Sequence, residues 1–306
     1  YIAGTWAAGD DAAANINPSD LNDTIGHYAQ ASANQTAEAI ECAAAAFPKW
    51  RATSPLVRFE ALDRVGSEIL ARVDELGDIL AREEGKTLAE AKAEAHRAGH
   101  LFKYFAAEAY RATGDTYQSL REGVSLKVLR EPIGVVGVIT PWNFPLAIPA
   151  WKIAPALAYG NTVVFKPAEL VPGSAWMLSD IIARAGLPEG VFNLVMGKGR
   201  EVGEAIVTHP KVSGVTFTGS TPVGRNTGAA LFARGAKMQL EMGGKNPLVV
   251  LEDADLDLAV HCALQGSFFS TGQRCTASSR LIVTEGIHDA FVDRLCAAMK
   301  GLRVGD

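Results

Sequence analysis

From Glu131 to Glu169 the chain reads EPIGVVGVITPWNFPLAIPAWKIAPALAYGNTVVFKPAE. Two short β-rich runs, opening at Val135 and Thr162, flank a segment compatible with a helix. Further runs open at Val191 and Val215, so the four starts are 27, 29 and 24 residues apart, the period of a strand–helix–strand unit. Strands with so few polar residues fit burial on both faces, which predicts an α/β fold with a doubly wound parallel sheet. Ligands in such sheets sit beyond the carboxyl ends of the strands. The residues just after Ile139, Phe165, Val195 and Phe217 are therefore the places to look for chemistry.

Upstream, Asn17-Pro18-Ser19-Asp20 marks a turn among short strands, and a helix is expected to start near Gln35. Val65, Ile69, Val73, Leu76 and Leu80 recur at helical steps and predict one apolar helix face. The run Glu83, Glu84, Lys86, Glu90, Lys92, Glu94 reads as a solvated helix face. Between Thr113 and Arg130 polar and apolar residues interleave, predicting a β-hairpin that stands apart, the kind of arm that pairs with another subunit. After Gly243 a strand (247–251), a helix (256–269), a strand (280–283) and a helix (288–300) begin a second α/β unit. Two strands and two helices are too little for a self-sufficient domain, so the chain is expected to continue beyond Asp306 and to be inactive and poorly soluble as it stands.

The 306 residues are 48% apolar and 21% charged, with a net charge of −5 and no long block of one sign, which gives no electrostatic reason to expect nucleic acid or an anionic membrane as partner. The most apolar stretch, 145–160, contains Lys152 and three prolines and is no membrane span. No basic leader precedes Lys49, and the expected location is the cytoplasm. Cys42, Cys262, Cys275 and Cys296 form no CxxC pair and read as reduced thiols. His27, His96, His100, His209, His261 and His288 read as surface or packing residues, and no metal site is expected.

Six short stretches carry candidate chemistry. In Thr140-Pro141-Trp142-Asn143-Phe144-Pro145 two prolines fix a turn whose Asn143 side chain either aims its amide at a developing oxyanion or forms an ordinary Asx turn. In Lys166-Pro167-Ala168-Glu169 the acid either accepts from ribose hydroxyls, disfavouring a 2′-phosphate, or makes a surface ion pair. Gly197, Gly199 and Gly203 have G-x-G-x-x-x-G spacing, a tight turn or a pyrophosphate cradle. Phe217-Thr218-Gly219-Ser220-Thr221-Pro222 leads into a helix start that is either an anion site or a plain N-cap. Glu241 closes a short strand, and apolar neighbours would suit it to general-base work. Cys275 ends a helix-like segment beside Arg274, which would favour its thiolate, although a lone Cys is more often a small buried hydrophobe.

Taken together, PWNFP, KPAE, FTGSTPVG, LEMGGK and GQRC resemble, in order and spacing, the NAD(P)-dependent aldehyde dehydrogenase superfamily, with 98 residues from Asn143 to Glu241 and 34 from Glu241 to Cys275. The resemblance implies a Rossmann-like cofactor domain (1–112 and 132–242), an oligomerisation hairpin (113–131) and the beginning of a catalytic domain (243–306). It implies that Cys275 attacks the aldehyde, that Asn143 holds the oxyanion, that Glu241 activates the hydrolytic water and that Lys152 relays protons. Cofactor contacts fall on Thr140, Pro141, Trp142, Lys166, Glu169, Gly199, Gly203, Phe217, Gly219 and Ser220, with NAD favoured and NADP possible. Phe144 and Trp151 would line the aldehyde tunnel, and Arg274 or Arg280 would bind a distal carboxylate. The stretch around Cys275 is similar to that of 2,5-dioxovalerate (2,5-dioxopentanoate) dehydrogenases, and the family implies a homodimer or homotetramer. A thiol hydrolase pairing Cys275 with His261 or His288, and a nucleotide-binding homologue without turnover, are the alternatives.

Overall fold

Local signals start most helices. Ser32 with Gln35 and Thr87 with Glu90 form capping boxes at α1 (Ala33–Arg51) and α4 (Leu88–Glu108). Ser54 and Pro55 open α2 (Pro55–Ala71), and Gly85, in the left-handed region at φ 83°, closes α3 (Val73–Glu84). The computed structural model describes residues 1–111 and 114–305; Ala112 and Thr113, where the hairpin was expected to begin, and Asp306 lie outside the described residues. The chain divides into two compact units, Tyr1–Glu241 and Met242–Asp306.

The first unit opens with an antiparallel pair, β1 (Asp11–Ile16) and β2 (Thr24–Gln30), followed by α1 to α4. A second antiparallel pair, β3 (Asp115–Gln118) and β4 (Ser125–Val128), forms a two-stranded sheet of its own. Then come β5 (Val135–Ile139), α5 (Ala147–Ala158), β6 (Thr162–Lys166), α6 (Pro172–Arg184), β7 (Phe192–Leu194), α7 (Glu204–Thr208), β8 (Val212–Gly219), α8 (Thr221–Ala233) and β9 (Lys237–Met242). The sheet order is β7-β6-β5-β8-β9, and β5 pairs in parallel with both β6 and β8. Alternation along the strands assigns its two faces. Val136, Val138, Val163 and Phe165 enter one large core with α2, α4, α5 and α6. On the other face Thr162 Oγ1 donates to the Ala43 carbonyl of α1, and a Cβ on Gly137 would meet Ile206 of α7 at 2.4 Å. Each large side chain sunk in that core, Trp50 and Phe102 among them, contributes roughly 1.5–3 kcal/mol. The second unit pairs β10 (Asn246–Val250) in parallel with β11 (Ser278–Val283), packed by α9 (Leu256–Phe268) and α10 (Glu285–Met299).

Two expectations need correction. The stripe from Val65 to Leu80 lies on two helices, not one: Arg72, at φ −113° and ψ 25°, breaks the run, and its guanidinium is held by Glu68 and Glu75 at 3.2 and 2.7 Å. The charged run is not a solvated face, because Glu83, Glu84, Lys86 and Glu94 are buried. Glu83 accepts from Gly173 N, Ser174 N and Ser174 Oγ at 2.6–2.7 Å, and so caps α6, which has no side-chain cap of its own. Burial pushes the Glu84 carboxyl up to about 7, with Lys86 opposing the shift. His96 and His100 are exposed, as surface residues, and stand one turn apart on α4 with ring centroids 4.5 Å apart. All four cysteines are free, and among the described residues no helix is long and apolar enough to cross a membrane.

Candidate active site

The carboxyl ends of β5, β6 and β8 open onto a cavity of about 570 Å³. Lys166 and Phe217 from the strand ends, Gly199 and Gly203 from the turn before α7, and Val223 and Thr227 from α8 line it. The glycine-rich segment is thus a turn, with Gly199–Gly203 wound as a single π-turn, and it also faces the cavity. Burial lowers the Lys166 amine to about 8, Glu169 opposing, and its Nζ donates to the Pro167 carbonyl at 2.8 Å. Glu169 accepts from Gly199 N at 2.7 Å, so strand end and turn are tied together by this acid rather than by a surface ion pair.

Three further features lie at the adjoining strand ends. Ser220 is the N-cap of α8, yet its hydroxyl makes no capping bond, which removes the plain N-cap reading. Thr140 Oγ1, at the end of β5, is buried with no hydrogen-bond partner among the described residues. Gly219 has no room for a side chain, because a Cβ there would meet the Phe217 ring at 2.6 Å. Pro141 and Trp142 continue the same turn from β5 and are half-buried.

Asn143 and Phe144 are half-buried in that turn. The Asn143 carbonyl accepts from Lys86 Nζ at 2.8 Å, and the same amine lies 4.2 Å from the Phe144 ring centroid. On α5, Trp151 is exposed under the Arg97 guanidinium, 4.9 Å from its ring centroid, while Lys152 is buried. Burial brings the Lys152 amine down to about 8, and Glu241 opposes the shift. Its Nζ donates to Thr216 Oγ1 at 2.8 Å and to Gln239 Oε1 at 3.0 Å, and Gln239 Nε2 donates to Glu241 Oε1 at 3.2 Å. A polar line therefore runs from a buried amine to the carboxylate. Thr216 and Gln239 were missed in the sequence, although Gln239 lies two residues from Glu241 on one strand and so shares its face. Glu241 is exposed, on edge strand β9, rather than enclosed by apolar neighbours among the described residues.

In the second unit Cys275 is exposed, on the turn before β11 rather than at a helix end or as a small buried hydrophobe. Ser270 and Thr271, at φ 49° and 53°, and Gly272 at 71° form a left-handed run just ahead of it, and strain at non-glycine residues of this kind clusters at functional sites. Asn246 Nδ2 holds the turn by donating to the carbonyls of Cys275 and Ala277 at 2.6 and 3.2 Å, a tie that spacing alone does not reveal. Arg274, expected beside the thiol and as a substrate anchor, spends Nη2 on the carbonyls of Gln265 and Gly266, both at 2.8 Å. Both carbonyls lie in the last turn of α9, where that of Gln265 also accepts from Phe269 N, and Arg274 adds a side-chain donor to the helix end. Arg280 Nε donates to the Lys245 carbonyl at 3.0 Å. His261 and His288 are exposed, and among the described residues neither hydrogen-bonds to Cys275, so the thiol-hydrolase pairing finds no support.

The aldehyde dehydrogenase family model matches residues 6–306. The chain belongs to this family. Among similar aldehyde dehydrogenases, the alpha-ketoglutaric semialdehyde dehydrogenase of Bacillus subtilis is 44% identical over all of this chain and 63% of its own length. The 2,5-dioxopentanoate dehydrogenase of Saccharolobus solfataricus is 41% identical over 99% of this chain and 64% of its own. A crystal structure of an NADP-dependent enzyme from E. coli superposes with a TM-score of 0.97 at 39% identity, covering all of this chain and 64% of that one. The chain thus spans a little under two thirds of the length of these relatives.

Proposed function

We propose that the intact protein oxidises a carboxylate-bearing semialdehyde, such as 2,5-dioxopentanoate, to the acid with a nicotinamide dinucleotide. The observation that carries this is the cavity at the ends of β5, β6 and β8, lined by Lys166, Phe217, Gly199 and Gly203, with Ser220 at the start of α8 making no side-chain capping bond. Lys166 and Glu169 would hold the adenosine ribose, and Trp142 and Ser220 the diphosphate. The dinucleotide supplies a hydride acceptor when bound. The Glu169 carboxylate disfavours a 2′-phosphate, and NAD is the cofactor of choice.

Within this reading Cys275 Sγ attacks the aldehyde carbon, and the Asn143 side-chain amide with the Cys275 N–H holds the oxygen that becomes negative. Once the thiol carries an acyl group, Glu241 takes a proton from the attacking water, and the Lys152–Gln239 line carries charge change away from it. The semialdehyde class draws support from the relatives of B. subtilis and S. solfataricus and from the exposed Arg280 guanidinium, a group that binds carboxylates. The β3–β4 arm would join subunits into a dimer or tetramer.

Reduced-nicotinamide absorbance tests the reading in the intact protein. Wild type should show steady production, Cys275→Ala less than about 10⁻⁴ of it, and Glu241→Gln one burst followed by a stall. A semialdehyde should exceed hexanal in kcat/KM by roughly tenfold or more, the worth of one charge-assisted hydrogen bond. Equal values would dismiss the carboxylate anchor, and full activity without the thiol would dismiss the mechanism.

A further inference from the structure

Two residues of the buried charged run, Lys86 and Glu94, contact the turn from Asn143 to Ala147. Lys86 follows the left-handed Gly85, and its side chain is only 1% exposed. Its Nζ donates to Glu94 Oε2 at 2.7 Å and to the Asn143 carbonyl at 2.8 Å, with Glu84 Oε2 at 3.8 Å. Glu94 turns its other oxygen to Leu146 N at 2.9 Å and Ala147 N at 3.0 Å, where α5 begins without a side-chain cap of its own. With Phe144 beneath the amine, Asn143, Phe144, Leu146 and Ala147 are all held by one ion pair, and Pro141 and Pro145 restrict φ at two further points.

We propose that Lys86, locked by Glu94 and flanked by Glu84, is the positioning residue that fixes the direction of the Asn143 side chain; the assignment rests on Asn143 being the oxyanion donor. A carbonyl gripped at Nζ restrains the peptide plane between Asn143 and Phe144, and with it ψ at Asn143, which sets the line along which its Cα–Cβ bond leaves that plane. An oxyanion donor works only when it is oriented before the charge develops. The clasp also contributes stability, because without it a carbonyl and two N–H groups would lose their partners. Apolar side chains could not satisfy a carbonyl and two N–H groups at once. Lys86 touches no reacting atom in this scheme and acts through Asn143.

A double-mutant cycle in the intact protein tests this. Lys86→Met, which keeps length and removes the donor, should lower kcat by about 10²-fold, the cost of misplacing a catalytic group by an ångström, while KM for NAD stays within about twofold. In an Asn143→Ala background the same change should lower kcat no further, and Lys86→Arg should recover part of the loss. Full kcat in Lys86→Met, a KM for NAD that rises together with the fall in kcat, no recovery by Arg, or a loss that multiplies with that of Asn143→Ala overturns the proposal. Wild-type kcat in Asn143→Ala overturns the underlying reading, and this one with it. Should Lys86→Met fail to fold, Glu94→Gln decides by the same cycle, since it keeps an acceptor for Leu146 and Ala147 while ending the ion pair.

Discussion

Lys152 shows how a single buried amine sets both stability and chemistry. Its amine is lowered to about 8 by burial, so folding favours the neutral form more than the unfolded chain does, although the charged form still predominates below about 8. The penalty for holding it charged is absent above its usual value near 10.5, grows as pH falls towards about 8, and is complete below that. Lys152→Met is therefore expected to stabilise the chain by about 1 kcal/mol at neutral pH and by less in alkali, while slowing turnover because the line to Glu241 is cut. Denaturation midpoints in the two pH ranges check the first half; a gain independent of pH would refute it. Glu169 is the residue to change for cofactor choice. With the carboxylate gone in Glu169→Gln, the ratio of kcat/KM for NAD over NADP should fall roughly tenfold, and an unchanged ratio would remove the charge-repulsion argument.

Among elements, α6 and α4 make a matched comparison of how a helix start is satisfied. Helix α4 is capped by its own Thr87, whereas α6 is capped by Glu83 from 90 residues upstream. Thr87→Ala should cost about 1 kcal/mol, and Glu83→Ala on the order of 3 kcal/mol, because three donors lose a buried acceptor. Equal losses in chemical denaturation would count against a tertiary cap. The same contrast explains what could be read from the residues. Strands β5 to β8, the capped helix starts and the motif turns are local patterns, and the chain shows them in one dimension. Glu83, Glu94, Asn246 and Arg274 satisfy backbone groups far away in sequence or across a turn, so polarity alone misread the charged run as solvated and Arg274 as free. The break at Arg72 was hidden because the apolar spacing continues through it.

At the scale of the molecule, β3 and β4 form a sheet with no third strand among the described residues, and Tyr117, Leu126 and Val128 on it are about half exposed. If the arm joins subunits, Leu126→Asp with Val128→Asp should reduce the mass of the intact protein in sedimentation by a factor of two or more; an unchanged mass would remove the arm from the interface. The clasp of Lys86 and Glu94 on residues 143 to 147 has a different consequence, for heredity and for engineering. Two stretches some fifty residues apart behave as one inherited part, and a crossover placed anywhere between 95 and 142 would join one parent's lock to the other's key. Chimaeras of related enzymes should therefore exchange 84 to 147 as a block.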